Sequence, residues 1–341
     1  MEQLFFVTYF LNENHLNSFF KLRLEEFVYC KTLIHRATYQ LLLNPAETPT
    51  LSFEPWLFNQ EVYWKQWETE TLTFYWFNDI SQQADALFVL QKKEEGVWLS
   101  PFRATFAGFD GREGVDFESF VKAVKLALDA CNILSIIIKA CPWYVQPDFY
   151  PIFKQVFTHV KVDYTELNYH LPISGASIHQ HLHSSKRWRL NKLVKSGFVF
   201  EEMTNPNLAD IHQFIAKARA RKDFPMTMTL EEFIQKIQQL RNRYTFFAVK
   251  KGGEITAVAV CVHLGKGVFY NFYSADHELY TAYSPMVLLF AGMYEYAYTN
   301  HYTVLDLGIS TYLGVRNEGL IAFKKSIGAI ETEKIVFSVE C

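Results

Sequence analysis

The alternation of apolar and polar positions divides the chain into two successive runs of strands and helices. Each run opens with three apolar segments separated by polar turns, at 71–78, 84–91 and 96–101 in the first run and at 244–250, 254–264 and 267–274 in the second. A helical pattern and a short buried strand follow in both runs. The shared order favours a duplicated α/β unit. The composition changes at LPISGAS, residues 171–177, which predicts two domains, 1–172 and 173–341.

The stretch 283–329 contains the clearest local signals. We predict that Ser284 is the N-cap of a helix and that Pro285 is its first residue, where the missing N–H group costs nothing. Asn300 fits a left-handed C-cap. A short apolar strand around Asp306 follows, and a further helix leads to Gly328. A helix N-terminus that faces a strand end offers unpaired N–H groups to an anionic ligand.

Composition limits the class of protein. Half of the 341 residues are hydrophobic and 20% are charged, which is typical of a globular protein. The net charge of −3 argues against nucleic-acid binding by the whole surface, so a contact with a polyanion must be local. Six of the seven Trp residues lie in the first 143 residues, which indicates either a crowded aromatic core or a stacking platform for a sugar or base.

Cysteine usage and targeting signals predict a cytoplasmic protein. The five Cys residues form no C-x-x-C pair and have no metal-ligand spacing, as expected of reduced thiols. The run LFFVTYFL near the start is short and lacks a basic flank, so we do not expect it to be a signal peptide. No segment reaches the ~18 uninterrupted apolar residues that a membrane-spanning helix needs. Up to about residue 45, a strand-like start and a mixed helical pattern are predicted.

Three strings carry a family resemblance: SPMVLLF at 284–290, DLG at 306–308 and GLIAFKKSIGA at 319–329. They resemble the C-terminal half of FemABX-type acyltransferases and of the BioF2-like acetyltransferase domain, both within the GNAT superfamily. Fainter likeness extends to 186–198 and 98–109. The resemblance implies an α/β (α+β) fold of two tandem GNAT-like domains, each a mixed, mostly antiparallel twisted sheet flanked by helices.

The resemblance also implies catalytic candidates. FemABX-type enzymes place a Phe-Lys pair beside the acyl donor, and Phe323 and Lys324 match that pair. A cation there can stabilise the oxyanion that forms when an amine attacks an ester or thioester. The alternative for Lys324 is a solvated helix lysine. Asp306 either orients the incoming amine or acts as a general base, or it only caps the loop after Gly308. Tyr283 is a candidate proton donor to the leaving group, although packing explains most tyrosines here.

Candidate donor-binding residues lie in three places. Ser284 and Met286 begin the helix above the expected donor cleft. Arg103 is expected to line the groove between the halves, where it either clamps a carboxylate or phosphate or pins its own loop. The acid-free basic stretch 177–200 contributes Lys186, Arg187 and Arg189, which either bind phosphates of coenzyme A or of an RNA end, or form a solvated face.

Together these features predict an N-acyltransferase that moves an acetyl or aminoacyl group from acyl-CoA or aminoacyl-tRNA to a small-molecule or peptide-like amine. No metal is expected, because His179, His181 and His183 have no nearby carboxylate. Acetyl-CoA-using GNAT enzymes carry a glycine-containing motif before the central helix, whereas this chain has DHELYTAYSPM. A catalytically inactive GNAT-scaffold binding protein is therefore the alternative, and an RNA-binding module is a third. The donor, the acceptor and the oligomeric state stay open.

Overall fold

The computed structural model describes residues 30–34, 37–147, 149–222, 224 and 226–341. These residues form two compact units, one up to Thr165 together with Glu333–Cys341, and one of Glu166–Thr332. The units differ in their limits from the predicted domains 1–172 and 173–341, because the C-terminal strand contributes to the first unit. The functional division into domains stays a prediction. The strand-like start and most of the helical pattern predicted before residue 45 lie outside the described residues.

The helices and strands alternate along the chain. In the first half they are β1 (Cys30–Ile34), β2 (Ala37–Leu43), α1 (Glu61–Trp64), β3 (Thr71–Asn78), β4 (Gln83–Glu94), β5 (Val97–Leu99), β6 (Asp110–Gly111), α2 (Phe117–Ala130), β7 (Ser135–Lys139), α3 (Phe149–Val156) and β8 (Val160–Pro172). In the second half they are α4 (Ser184–Lys195), β9 (Phe198–Glu202), α5 (Leu208–Ala220), α6 (Leu230–Gln239), β10 (Tyr244–Lys251), β11 (Glu254–Gly265), β12 (Val268–Asp276), α7 (Met286–Thr299), β13 (Val304–Ile309), β14 (Thr311–Tyr312), β15 (Val315–Arg316), α8 (Glu318–Ser326) and β16 (Ile330–Glu340).

Strand pairing repeats from the first unit to the second. In the first unit β3, β4 and β5 form an antiparallel meander, and β7 then pairs in parallel with β5 after the crossover through α2. In the second unit β10, β11 and β12 form the meander, and β13 pairs in parallel with β12 after the crossover through α7. The predicted α/β fold class, with mixed and mostly antiparallel sheets flanked by helices, is confirmed.

Apolar periodicity explains which face of the second sheet each helix covers. Phe247, Ala259 and Phe269 share a buried cluster with the apolar side chains of α7. Successive side chains of a strand point to opposite faces, so Val260 faces away from α7. Its cross-strand partner Tyr273 contacts α6 through Phe233, with ring centroids 6.4 Å apart. Helices α5 and α6 therefore cover the face opposite α7.

Two irregularities mark β12. Val260 pairs with Tyr273 and Cys261 pairs with Asn271, so Phe272 is an extra residue and forms a β-bulge. The parallel register with β13 runs from Val268 to Tyr270, where Tyr270 lies opposite Asp306. From there β12 continues to Asp276. The two parallel strands thus part directly after Asp306.

The predicted ends of α7 need correction. Ser284 has φ 55° and ψ 58°, a left-handed conformation, and Pro285 occupies the N-cap position, so Ser284 is not the N-cap and Pro285 is not the first helical residue. At the other end Asn300 is the C-cap but has φ −96°, whereas the left-handed residue is His301, with φ 60°. A preceding 3₁₀ helix, Glu278–Tyr283, explains the shift, because it delivers the chain to Ser284 at an angle that needs a positive φ.

A half-buried histidine in β11 gives the second unit a testable pH response. The Nε2 atom of His263 lies 2.7 Å from Oγ1 of Thr245, and Nδ1 bonds the hydroxyl of Tyr302. Burial, with a smaller contribution from the charge of Arg243, lowers the pKa of His263 from 6.5 to about 4. The unfolded chain therefore binds the proton more readily, and stability is lost as pH falls from about 6.5 towards 4.

We expect the free energy of unfolding to fall by about 2 kcal/mol over that interval on account of His263. Urea denaturation at pH 7 and pH 4.5 measures the change, with His263→Gln as the comparison. The variant should show a shallower loss than the wild type. Equal losses in both proteins would contradict the assignment.

Candidate functional site

The carboxylate of Asp306 is buried at the end of β13. Its side chain is 1% exposed, and its two oxygens accept hydrogen bonds from Nδ2 of Asn168 at 3.1 and 3.2 Å. Oδ1 also accepts from the backbone N–H of Gly308 at 2.6 Å. Gly308 has φ 73°, a conformation that a residue with a Cβ adopts only with strain. The aspartate therefore holds the turn that its own strand makes.

The ammonium group of Lys324 lies on the carbonyl side of the same turn. Nζ donates to the carbonyl oxygens of Gly308 at 2.8 Å and Ile309 at 2.9 Å, and the residue is 2% exposed. Nζ is also 5.6 Å from the ring centroid of Tyr169. Lys324 is thus not a solvated helix lysine. Asp306 and Lys324, both predicted from the sequence, bond the N–H and the C=O of one residue, Gly308.

The caps of α8 fix the position of Lys324. Asn317 caps the helix by accepting from the N–H of Leu320 at 3.0 Å. The helix ends at Ser326 with Ile327 as its C-cap, and the next residue, Gly328, has φ 85°; a Cβ there would lie 2.3 Å from the carbonyl oxygen of His181. Only glycine fits so close an approach. Because both ends are fixed, Lys324 faces the sheet and Lys325 faces solvent, where it forms an ion pair of 3.0 Å with Glu331.

The electrostatics around the turn follow from burial. His170, the cross-strand partner of Asp306, has a pKa lowered by burial, and the charge of Asp306 opposes that shift. Burial and a hydrogen bond to Glu331 raise the pKa of Tyr169. The same bond, together with Lys325, lowers the pKa of Glu331. We name Asn168, Tyr169, His170, Asp306, Gly308 and Lys324 the turn cluster.

Helix α4 carries the basic residues of the stretch 177–200. It begins at Ser184 after a separate 3₁₀ turn at Ile178–Gln180. Nζ of Lys186 lies 5.1 Å from the ring centroid of Phe323, and the pKa of Lys186 is lowered by partial burial and then by Arg189. Two residues predicted to bind the donor, Lys186 and Phe323, are therefore in contact.

A second cation of α4, Arg189, bonds the chain just ahead of α7. Nη1 of Arg189 donates to the carbonyl of Ala282 at 2.6 Å, in the 3₁₀ helix that precedes α7, and Arg187 is exposed. Trp188 is 59% exposed, and Nζ of Lys192 lies 5.0 Å from its ring centroid. In the part of the chain that the structure describes, no acid pairs with an α4 cation, whereas many other surface lysines are paired. The helix therefore presents uncompensated positive charge.

Tyr283 lies apart from the turn cluster. Its ring is 5.4 Å from Phe198 and 4.7 Å from Nζ of Lys251, on the side of β9 and β10. These contacts, within the described residues, do not include Asp306 or Lys324. Met286 packs at the edge of the α7 core, and the carbonyl of Ser284 accepts from Val287 at 3.0 Å.

Arg103 belongs to the first unit. It has φ 53°, and its guanidinium lies 5.5 Å from the ring centroid of Trp67. This stacking accounts for its position in the loop. A role of Arg103 in substrate binding stays a prediction.

Sequence reasoning missed two residues of β8, one a hydrogen-bond donor and one an acceptor. Asn168 holds Asp306, and the buried Glu166 accepts from the hydroxyl of Thr311 and from the N–H of Leu313, at 3.1 Å in the second case. Glu166 thereby fixes the hairpin of β14 and β15 beside the turn cluster. The only local signal was a pair of polar residues in a strand-like run, which does not reveal a partner 138 or 145 positions away.

Among the described residues, no group of three or more His, Cys, Asp or Glu side chains has the arrangement of a metal site. Among the same residues, no helix combines the length and apolar character needed to cross a membrane.

Comparison with known proteins identifies the fold. Residues 184–325 match the family model described as an acetyltransferase (GNAT) domain. The crystal structure of FemX superposes with a TM-score of 0.63 at 14% identity, covering 84% of this chain and 92% of that one. The structure of L-PGS from Bacillus licheniformis gives 0.52 at 15% identity, covering 79% and 84%. A conserved protein of unknown function from Bacteroides thetaiotaomicron gives 0.54 at 14% identity, covering 79% and 86%.

No curated protein matches the chain. The matched domain contains α4, the meander, α7, β13 and all of α8 up to Lys325. The turn cluster residues Asp306, Gly308 and Lys324 therefore lie inside it. Residues 184–325 of this chain thus match an acetyltransferase (GNAT) domain, and the fold is similar to that of FemX.

Proposed function

We propose that this protein is an N-acyltransferase that transfers an acyl group from an activated donor to an amine. One observation carries the proposal: Asp306 and Lys324 bond opposite sides of Gly308 at the point where β12 and β13 part. Parting parallel strands leave backbone groups free to meet a ligand. A buried cation beside that opening suits a reaction in which negative charge develops on a carbonyl oxygen.

The proposed reaction needs few chemical groups. The amine nitrogen attacks the donor carbonyl, a C–N bond forms, and the negative charge moves to the carbonyl oxygen. Lys324 stabilises that charge in surroundings where water does not screen it. The C–S or C–O bond to the carrier then breaks, the amine loses a proton to water, and the carrier leaves as a thiol or hydroxyl. Since both oxygens of Asp306 accept hydrogen bonds, we propose that it positions the turn.

Product formation tests the proposal. The purified protein is mixed with acetyl-CoA or with charged tRNA and a panel of small and peptide amines, and acylated amines are detected by mass spectrometry. Amide product with any pair, abolished by Lys324→Met, supports the proposal. Product that forms equally with that variant rules out the turn cluster as its site.

The donor is proposed to bind through its phosphates to α4. Lys186 lies against Phe323, Arg189 bonds Ala282, Arg187 is exposed on the same helix, and no acid among the described residues pairs with any of the three. Coenzyme A and the end of a tRNA both carry such phosphates, so acyl-CoA and aminoacyl-tRNA stay the two donor hypotheses. Cytoplasmic location follows as a prediction from either donor.

We expect Arg187→Gln to raise the KM for the donor about tenfold, with kcat little changed, because one charge-assisted contact to phosphate is lost. Steady-state kinetics at 50 and 200 mM salt measures this. Lys122→Gln, a paired surface cation on α2, serves as the control. A steep fall of wild-type affinity with salt indicates tRNA, whose many phosphates release more counterions than coenzyme A. An unchanged KM in Arg187→Gln would contradict the α4 assignment.

A second candidate function is ligand binding without catalysis. In the segment between β12 and α7, backbone N–H groups form hydrogen bonds within the segment. Leu279 donates to Nδ1 of His277 at 3.3 Å, Tyr280 donates to the carbonyl of His277 at 3.0 Å, and Ser284 donates to the carbonyl of Thr281 at 3.0 Å. A pyrophosphate cradle of bare N–H groups is not formed there. Thermal stabilisation by a donor without any product across the panel would favour this function.

A further inference from the structure

An open cavity of about 480 Å³ lies in the second unit between α5 and the end of β12. Its walls include Asp210, Phe214 and Lys217 from α5, and Asp276 and Glu278 from the end of β12 and the 3₁₀ helix that follows. Cavities of this volume accommodate small organic molecules. About 20 Å of strand separates Asp276 from Tyr270, the partner of Asp306, so the cavity is distinct from the turn cluster.

One acid in the wall is already neutralised. Nη2 of Arg221 donates to the carbonyl of Asp276 at 2.7 Å and lies 3.8 Å from its carboxylate, and Nζ of Lys222 lies 3.6 Å from the same carboxylate. These contacts join the end of α5 to the end of β12. At this corner of the cavity the carboxylate of Asp276 is therefore already paired within the protein.

The remaining charges are of both signs and are not paired with each other. Asp210 and Glu278 contribute two carboxylates, and Lys217 contributes one ammonium group. Among the described residues none of these three side chains forms an ion pair, although all of them border one cavity. Counting every charged wall residue, three acids face two bases, which disfavours a phosphate-rich ligand.

The floor between these charges is apolar and aromatic. The rings of Phe214 and His277 have centroids 6.0 Å apart, and the buried Ala218 lies beside them. His277 is held in place because its Nδ1 accepts from Leu279. The apolar side chain of a ligand can pack against such a floor, while the charged residues around it fix the orientation of that ligand.

We propose that this cavity is a binding site for a free amino acid. The α-ammonium group of the amino acid lies at Asp210 and Glu278, its carboxylate lies at Lys217, and its side chain covers Phe214. Asp210, Lys217 and Glu278 are exposed at the edge of the cavity, and a ligand with both charges can pair with all three at once, whereas an amine or an acid alone leaves one sign unmatched. Binding at Glu278 also contacts the 3₁₀ helix that leads into α7.

The test measures binding and needs no acyl transfer. The common L-amino acids are screened by thermal shift, and the strongest binder is titrated by calorimetry beside its N-acetyl and C-amide forms. We expect the free amino acid to bind about tenfold more tightly than either blocked form, since each block removes one charge-assisted contact. Failure of every amino acid to bind would overturn the proposal.

Three variants assign the two ends of the ligand. Lys217→Gln should abolish the preference for the acid over the C-amide and leave the discrimination against the N-acetyl form. Glu278→Gln should do the reverse. Glu231→Gln, an exposed acid on α6 outside the cavity, should leave both preferences unchanged. If the Lys217 and Glu278 variants bind like Glu231→Gln, the ligand does not occupy this cavity. Acyl transfer can fail or succeed independently of these results.

Discussion

Replacement of Lys324 by methionine is expected to lower the free energy of unfolding by about 2–5 kcal/mol and to reduce turnover at least about 100-fold. Methionine fills much of the same space but donates no hydrogen bond. The carbonyl oxygens of Gly308 and Ile309 then lose the donor that lies 2.8 and 2.9 Å away in the folded protein. Each buried acceptor left without a partner costs about 1–3 kcal/mol. Loss of the positive charge removes the proposed stabilisation of the oxyanion.

Urea denaturation and single-turnover kinetics separate the two effects. Lys325→Met is the matched control, because the neighbouring side chain is half exposed and its ion pair with Glu331 is worth less than about 1 kcal/mol. If Lys324→Met does not fold, Lys324→Gln retains one donor for one of the carbonyls and should fold while losing activity. An unfolding midpoint of Lys324→Met equal to that of Lys325→Met would show that the ammonium group does not anchor the turn.

Local patterns in the sequence predicted most elements of the fold. Asp116 precedes a regular apolar stripe, and it caps α2 by accepting from the N–H of Ser119 at 3.0 Å. Gly328 directly follows the C-cap of α8, at the predicted end of the helix. Ser284 was predicted wrongly, because the serine–proline pair is an N-terminal signal only when the preceding chain is extended. The 3₁₀ helix before it has no strong periodicity of its own, and tertiary packing of Tyr280 and Tyr283 on Phe198 decides its geometry.

The candidate site was predictable only in part. An unusual string containing Phe323 and Lys324 indicated the lysine, and the strand end indicated Asp306. Both residues bond Gly308 because α8 packs against the end of β13, and the spacing of residues in the sequence does not predict that packing. Asn168 could not be found, since a residue 138 positions away is brought to Asp306 by strand pairing alone. Tyr283 is close to α7 in sequence, but its ring lies against Phe198 and Lys251, and a role for it in catalysis stays a prediction.

Asp306 and Asn168 should behave as a coupled pair in a double-mutant cycle. Asp306→Ala is expected to cost about 3 kcal/mol, because the amide of Asn168 and the N–H of Gly308 both lose their acceptor in a buried site. Asn168→Ala is expected to cost about 2 kcal/mol, because the carboxylate keeps the bond from Gly308. The double variant should cost less than the sum by about 1.5 kcal/mol or more, as found for residues in direct contact. Urea denaturation of the four proteins measures this coupling.

The protonation of His170 gives a second readout of the same pair, independent of stability. The charge of Asp306 supports the protonated imidazole against a pKa that burial lowers, so the pKa of His170 should fall further in Asp306→Ala and stay nearly constant in Asn168→Ala. NMR titration of the imidazole signals follows both variants. Asp306→Ala combined with Ser119→Ala, a remote substitution at the start of α2, is the additive control. If the Asp306 and Asn168 substitutions are strictly additive and the pKa of His170 is unchanged in both variants, the carboxylate is not held as the structure shows. The turn would then need another anchor beside Lys324.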